Sequence, residues 1–292
     1  MLSAIKNGEI YLRDKNISSP RLESEILLAH ILGKERLELY LEKDFKPAKD
    51  KISAFENLLL KRGKGIPTSY LIGSREFLSW NFSVSPDVLI PRPETELLVE
   101  EVSSILKKDF GFANSNHERI NIVDLGTGCG VIAVSMAKLF PACFVYAVDI
   151  SKKALEIAYL NAIKFGVEDR IFFIEKEFSS SLEEYKLGNK IHVIISNPPY
   201  IPTGEIKTLQ KEVKAYEPIT ALDGGIDGLG FYREITPMAA HYLVKGGILA
   251  FEIGYNQGHQ VKLLIEQTNS FEDIIIKKDY AGHERIITAI KK

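Results

Sequence analysis

The stretch Asp124-Leu125-Gly126-Thr127-Gly128-Cys129-Gly130 joins an apolar run at residues 121–125 to a helical pattern at residues 131–139. Its three glycines permit a tight turn and let the backbone approach a ligand closely. Asp149 ends the next apolar run, residues 144–148, where a carboxylate can accept hydrogen bonds from both ribose hydroxyls of a nucleoside. The pattern predicts a strand, turn and helix that bind a nucleoside-containing cofactor at the carboxyl ends of the strands.

The spacing of the glycines narrows the choice of cofactor. A dinucleotide fingerprint places two residues before its last glycine, whereas Cys129 alone separates Gly128 from Gly130. This spacing favours S-adenosylmethionine over NAD. A glycine-rich loop can also serve only to turn the chain, but its place between a strand and a helix, with Asp149 nearby, favours binding. We assign no chemistry to the Cys129 thiol, because no base is paired with it in sequence.

Apolar runs and helical patterns continue to alternate beyond this turn. The further runs lie at residues 171–174, 191–195, 248–253, 273–276 and 285–290. Strands that alternate with helices predict a parallel, doubly wound sheet. The last two runs lie close together around Gly282, which indicates a terminal antiparallel hairpin. The sequence therefore predicts an α/β fold with a seven-stranded sheet.

The region before the sheet has a different pattern. Up to about residue 64, apolar residues recur at helical spacing, which predicts a small bundle of helices at residues 1–66. Trp80, Phe82 and Val84 then alternate with polar residues, as expected of a β-hairpin linker at residues 67–90. A helix with an acidic first turn should follow Pro93, within the domain at residues 91–292 that contains the predicted sheet.

The composition of the chain limits the kinds of ligand, metal site and membrane segment that we expect. The 292-residue chain is 45% hydrophobic and 26% charged, with a net charge of −2, so it lacks the basic excess typical of non-specific nucleic-acid binding. It has two cysteines and no Cys or His spacing typical of a zinc site. No apolar run approaches the roughly 18 residues of a spanning helix. We expect a cytoplasmic monomer without a bound metal, a signal peptide or a membrane anchor.

The stretch Ser196-Asn197-Pro198-Pro199-Tyr200-Ile201-Pro202 follows the fourth predicted strand. Its prolines restrict the backbone, so Asn197 and the carbonyl of Pro198 should be held on a stiff turn. The lone pair of an amide or aromatic NH2 group is delocalised, which makes that nitrogen a poor nucleophile. If the Asn197 side-chain oxygen and the Pro198 carbonyl each accept one N–H, the lone pair can be aimed at a methyl donor while Tyr200 packs on the flat group.

An Asn-Pro pair by itself can simply form a turn. Together, however, Asn197-Pro198-Pro199-Tyr200 and the glycine stretch resemble class I, Rossmann-like methyltransferases that act on planar NH2 groups. Three further segments closely resemble the HemK/PrmC family of protein-(glutamine-N5) methyltransferases. They contain Pro91-Arg92-Pro93-Glu94-Thr95-Glu96, Tyr216-Glu217-Pro218 with residues 221–229, and Ala281-Gly282-His283-Glu284-Arg285.

This resemblance implies methylation of the glutamine in the Gly-Gly-Gln motif of class-1 peptide chain release factors, with the N-terminal bundle helping to hold the release factor. It implies that the cofactor contacts are Gly126, Thr127, Gly128, Cys129, Gly130, Asp149, Phe178 and Asn197. It implies that Asn197, Pro198, Pro199 and Tyr200 contact the substrate glutamine, with Asn197, Pro198 and Tyr200 as the catalytic set. Phe178 stands where relatives often have tryptophan, so it could equally serve the core.

Two other hypotheses stay open from the residues alone. The Asn-Pro-Pro-Tyr stretch also suits a DNA adenine-N6 methyltransferase, although the near-neutral charge disfavours one. A non-catalytic module that binds translation factors is the other. Arg92, Glu94 and Glu96 could order the mouth of the site, but an acidic helix start also has a structural explanation. His283 and Arg285 could be structural as well.

Overall fold

The computed structural model describes residues 1–42, 45–109, 119–178, 182, 185 and 187–292. The chain divides into two compact units. The first contains Met1–Ser74 together with Gln210–Tyr216, and the second contains Arg75–Leu209 and Glu217–Lys292. The domain limits placed at residues 66 and 90 from the sequence stay a prediction.

The first unit is helical, as the spacing of its apolar residues predicts. Its helices are α1 (Leu2–Asp14), α2 (Pro20–Leu32), α3 (Glu38–Leu41), α4 (Lys49–Gly63), α5 (Thr68–Ile72) and, from the distant segment, α9 (Lys211–Tyr216). Leu12, Leu27 and Phe55 are among the buried side chains that α1, α2 and α4 contribute to its core. The side chain of Arg62 on α4 is 3% exposed and pairs with Glu212 on α9 at 2.8 Å.

The predicted hairpin is present but short. Strand β1 (Ser74–Phe77) pairs with β2 (Trp80–Ser83) across a turn at Leu78 and Ser79, both with positive φ. The preceding residues form α5 instead of extended chain, which differs from the expectation of a hairpin linker starting at residue 67. Gly73, in the left-handed conformation, ends this helix. The hairpin therefore occupies about ten of the residues predicted for it.

The second unit is built on a seven-stranded sheet, which confirms the predicted α/β fold. Its strands are β3 (Ile120–Leu125), β4 (Cys143–Asp149), β5 (Ile171–Glu175), β6 (Ile191–Ser196), β7 (Leu243–Glu252), β8 (Phe271–Lys278) and β9 (Glu284–Lys291). Their spatial order is β5-β4-β3-β6-β7-β9-β8. The pairs from β5 to β7 are parallel, and β9 pairs antiparallel with β7 and β8.

Strand β7 begins at Leu243, five residues before the predicted run. Residues 244–247 are Val-Lys-Gly-Gly, which lack an apolar pattern. Pairing with β6 nonetheless recruits them, because Leu243 lies opposite Ile191 and an irregularity in register follows. Neighbouring backbone, and not local propensity, therefore extends this strand.

Helices flank the sheet and the strand order places the site. They are α6 (Pro93–Asp109), α7 (Val131–Leu139), α8 (Lys152–Phe165), α10 (Gly230–Tyr242) and α11 (Gly258–Gln267). From β3 the chain proceeds outward to β4 and β5, and then returns to β6 on the other side of β3. Ligands bind at such a switch point, outside the carboxyl ends of the strands.

Among the described helices, none has the length and apolar character needed to cross a bilayer.

Candidate active site

A cavity of 430 Å³ opens at the carboxyl ends of the central strands. Six of the residues predicted for the site are part of its wall: Gly126, Gly128, Asp149, Phe178, Asn197 and Pro199. Further wall residues come from the segment before α6, from the start of α8 and from α10, and include Val88, Leu89, Ala154 and Phe231. The structure thus brings three features to one cavity: the glycine turn (residues 126–130), Asp149 at the end of β4, and the loop at residues 197–202, here called the acceptor loop.

Asp149 is tied to the glycine turn by its side chain. Its Oδ2 accepts the N–H of Gly128 at 2.9 Å, and its Oδ1 accepts the N–H of Ser151 at 2.9 Å. Burial raises the pKa of Asp149, and the two N–H donors act against that shift. The carboxylate is therefore held at the cavity wall with lone pairs left for hydroxyl donors.

Thr127, Cys129 and Gly130 lie behind the wall and shape the turn. The Thr127 hydroxyl donates to Asp124 at 2.6 Å. The carbonyl of Cys129 accepts a hydrogen bond from Asn161 on α8 at 2.8 Å, and burial raises the pKa of its thiol to about 12. At Gly130, with φ of +83°, a Cβ would lie 3.0 Å from the Cβ of Ala158. Direct contact of these three residues with the cofactor stays a prediction.

Asp124 supports the glycine turn from inside the protein, behind the cavity wall. It is completely buried, and its Oδ2 accepts the Thr127 hydroxyl and the N–H of Ala133. Its Oδ1 has no hydrogen-bond partner in the described part of the chain. Burial raises its pKa to about 7. Its position before the glycines was visible in sequence, but its burial was not.

Two residues outside the acceptor loop form hydrogen bonds with its side chains, and the sequence pattern identified neither of them as part of the site. Nδ2 of Asn197 donates to the hydroxyl of Thr95 on α6 at 3.0 Å. The same hydroxyl donates to Oε2 of Glu252, at the end of β7, at 2.6 Å. The Tyr200 hydroxyl lies 3.4 Å from the other oxygen of Glu252. In the sequence, Thr95 is marked only by its place in a segment that resembles the HemK/PrmC family, and nothing near Glu252 marks that residue.

The glycine-rich segment at residues 221–229 packs on the backbone of the acceptor loop. A Cβ at Gly224 would lie 2.7 Å from the Cα of Tyr200, and one at Gly228 would overlap the backbone oxygen of Tyr200. Gln257 bridges the two segments, because its Nε2 donates to the carbonyls of Tyr200 and Gly228. Only glycine permits this approach, which stiffens the loop from outside.

The charged residues that could order the mouth have defined partners. Arg92 donates to Glu217 at 2.6 Å. Glu94 lies 3.9 Å from Arg285, and Glu96 accepts the N–H of Leu78 in the hairpin turn at 3.0 Å. His283 lies 3.7 Å from Asp279, which also accepts from Arg285. These contacts join separate segments around the cavity.

In the described residues, no group of three His, Cys, Asp or Glu side chains could hold a metal ion.

Phe178 lies both in the core and at the cavity wall. It is 7% exposed and belongs to the core cluster. Its ring meets that of Phe231 edge to face, with centroids 5.4 Å apart, and it also forms part of the cavity wall. An adenine contact at this wall stays a prediction.

Comparison with known proteins shows which family this chain is related to. The model of the PrmC N-terminal domain matches residues 3–73, and that of the methyltransferase small domain matches residues 95–214. A release factor glutamine methyltransferase of Moorella thermoacetica is 40% identical, over 94% of this chain and 93% of its own. One of Chlorobaculum tepidum is 37% identical, over 98% of this chain and 95% of its own.

The chain belongs to the release factor glutamine methyltransferase family. Membership makes it an enzyme and a methyltransferase, so the non-catalytic module considered from sequence loses its support. Among solved structures, the catalytic domain of hMettl16, in complex with the MAT2A 3'UTR hairpin 6, has a TM-score of 0.54. It is 12% identical and covers 71% of this chain and 74% of its own, which supports the Rossmann-like methyltransferase fold alone. In this family member, the glycine turn and the Asn-Pro-Pro-Tyr loop line the same cavity.

Proposed function

We propose that this enzyme transfers a methyl group from S-adenosyl-L-methionine to the side-chain amide nitrogen, N5, of the glutamine in the Gly-Gly-Gln motif of class-1 peptide chain release factors. The names of its relatives support the substrate. The observation that carries the proposal is the orientation of Asn197 at the cavity wall. Because its Nδ2 donates to Thr95, its Oδ1 is left to accept an N–H from a planar amide.

The cavity suits the methyl donor. A Cβ at Gly126 would lie 3.5 Å from the Phe178 ring and 4.0 Å from the backbone oxygen of Asn197. Glycine thus leaves space beside an aromatic wall, and Asp149 offers carboxylate oxygens for ribose hydroxyls. We assign S-adenosyl-L-methionine to Gly126 through Gly130, Asp149, Phe178 and Asn197.

When bound, S-adenosyl-L-methionine would supply an electrophilic methyl group, and the product S-adenosyl-L-homocysteine would keep the electron pair of the broken C–S bond. The side-chain oxygen of Asn197 and the carbonyl of Pro198 each accept one N–H of the glutamine amide, while Tyr200 packs on its flat face. This directs the nitrogen lone pair at the methyl group. The nitrogen forms one C–N bond and loses one proton to water, so no strong general base is needed.

We further propose that the helical unit helps to hold the release factor, and that the enzyme acts as a cytoplasmic monomer. Both cysteines are buried and unpaired, which suits a reducing compartment. The near-neutral net charge supports a protein substrate over a nucleic acid.

The test is incubation of the purified enzyme with isotopically labelled S-adenosyl-L-methionine and a recombinant class-1 release factor, followed by mass spectrometry of the Gly-Gly-Gln peptide. We expect one added methyl group on the glutamine. A release factor with alanine in place of that glutamine is the matched control. Label on adenine of a DNA duplex, or no label on the glutamine, would overturn the proposal.

A further inference from the structure

Glu252 ends β7 beside the start of the acceptor loop. Ser196 on β6 pairs with Phe251 on β7, so the next residues along these parallel strands, Asn197 and Glu252, lie side by side. Glu252 is 1% exposed, and the Tyr232 hydroxyl donates to its backbone oxygen at 2.9 Å. Its carboxyl group is therefore held inside the protein, next to the acceptor loop.

The Asn197 and Tyr200 side chains of the acceptor loop both connect to this carboxyl group. The Thr95 hydroxyl, 2% exposed, donates to Oε2 of Glu252 and accepts from Nδ2 of Asn197. The Tyr200 hydroxyl lies 3.4 Å from Oε1. One buried carboxyl group thus reaches Asn197 through a single hydroxyl and faces Tyr200 directly.

The polarity of this chain of hydrogen bonds follows from the groups in it. A carboxylate can only accept, so the single hydroxyl proton of Thr95 is directed to Glu252. The oxygen of Thr95 can then only accept from Asn197, which requires that Nδ2, and not Oδ1, face Thr95. A glutamine at position 252 offers an NH2 donor as well as an oxygen, so it no longer fixes this order and allows the Asn197 amide to flip.

We propose that Glu252 is a positioning residue for methyl transfer: through Thr95 it orients the Asn197 carboxamide so that its oxygen, and not its NH2 group, meets the substrate amide. This inference rests on the acceptor role of Asn197 in the proposed function. A flipped carboxamide would present N–H to N–H at the substrate, which removes one of the two hydrogen bonds that aim the lone pair.

The surroundings of Glu252 make its charge sensitive to pH. Burial raises its pKa to about 7 and nearby Glu94 acts in the same direction, while Thr95, Arg285 and Tyr200 act against the shift. Tyr232 is the other titratable group beside it. The ionised form that sets the hydrogen-bond order therefore becomes dominant as the pH rises through neutrality.

The kinetic test compares Glu252→Gln, Thr95→Val and Thr95→Ser. We expect the first two to lower kcat about 10- to 100-fold, with less than about a twofold change in KM for the release factor. Thr95→Ser keeps the hydroxyl and should recover most of kcat. Wild-type kcat should rise with pH through a pKa near 7, and Glu252→Gln should abolish that rise. Thr236→Val removes another buried hydroxyl, bonded within its own helix, and serves as the control.

A second measurement is independent of turnover. In protein labelled with 15N at asparagine, with Asn197→Asp for assignment, one Nδ2 proton of Asn197 should be protected from solvent exchange by its bond to Thr95. Glu252→Gln and Thr95→Val should lose that protection, whereas Thr95→Ser and Thr236→Val should keep it. Titration with S-adenosyl-L-homocysteine shows that each variant is folded.

The outcomes separate the two proposals. If the wild-type enzyme labels no glutamine but the protection pattern follows Glu252, the proposed function fails and the positioning of Asn197 stands. If Glu252→Gln and Thr95→Val keep wild-type kcat, or keep the protected proton, the positioning role is overturned. Loss of activity in Thr95→Ser equal to that in Thr95→Val also overturns it.

Discussion

The guanidinium of Arg92 donates to the carboxylate of Glu217 across 2.6 Å, although 125 positions separate the two residues in the chain. The Glu217 side chain is 2% exposed and that of Arg92 is 33% exposed. The same carboxylate accepts the N–H of Ile90 at 3.3 Å. Leu89 and Pro218, next to these residues in sequence, are part of the cavity wall. The ion pair therefore joins two segments that form the cavity.

Arg92→Met should destabilise the enzyme by about 2 kcal/mol, because it leaves a buried carboxylate without its cationic partner. Denaturation in urea measures the change. The double variant Arg92→Met/Glu217→Gln removes the uncompensated charge and should recover part of the loss. Equal stability of the single variant and the wild type would contradict the assigned role of the pair.

Gly126→Ala should weaken binding of S-adenosyl-L-homocysteine, because the new Cβ enters the cavity near Phe178. Gly166→Ala is the matched control: both glycines have positive φ, +75° and +67°, but nothing lies within 4 Å of a Cβ at Gly166. Each substitution should cost about 1 kcal/mol of stability from backbone strain. Isothermal titration should then show weaker binding in Gly126→Ala alone. Equal affinities would place the cofactor elsewhere.

Asp149→Asn should lower affinity for S-adenosyl-L-homocysteine about 10- to 100-fold, because charge-assisted hydrogen bonds to hydroxyls are lost. The amide keeps the size of the side chain and its single oxygen can still accept the N–H of Gly128, whereas the N–H of Ser151 loses its acceptor. Asp227→Asn changes an exposed carboxylate paired with Arg233 and controls for charge. Titration calorimetry distinguishes the variants, and unchanged affinity in Asp149→Asn would exclude a carboxylate contact with the ribose.

The buried carboxyl group of Glu252 should make stability fall as the pH rises from about 5 to 7. Its pKa is about 7 in the folded protein against an ordinary value of 4.5. In that interval the unfolded chain binds fewer protons than the folded one, so the free energy of unfolding decreases with pH. Relative to Glu252→Gln, the wild type should lose stability across this window and level off above it. A pH-independent difference between the two proteins would refute the shift.

Local patterns were enough to predict most of the fold. Each of the seven strands contains a compact apolar run. The glycine turn and the Asn-Pro-Pro-Tyr loop were also visible, since glycine and proline restrict or free the backbone wherever they stand. Their meeting at one cavity followed from a general property of parallel sheets.

Other elements depend on neighbours that are distant in sequence. Helix α5 lies in a stretch expected to be a hairpin linker, and residues 244–247 join β7 only through pairing with β6. Segment Gln210–Tyr216 belongs to the helical unit although it lies between parts of the sheet unit in sequence. Weak local propensity leaves such segments undecided until tertiary contacts form.

The sequence by itself determined the α/β class, the glycine turn, Asp149 and the acceptor loop, because apolar periodicity and the constraints of glycine and proline are local properties. Tertiary structure alone decided which way the Asn197 amide faces, because this depends on two contacts between distant parts of the chain. Asn197 and Thr95 are 102 positions apart, and Thr95 and Glu252 are 157 positions apart. It also decided which carboxyl groups are buried at Asp124, Glu217 and Glu252. Burial and hydrogen-bond direction are set by what surrounds a group in space, and a linear pattern does not record that.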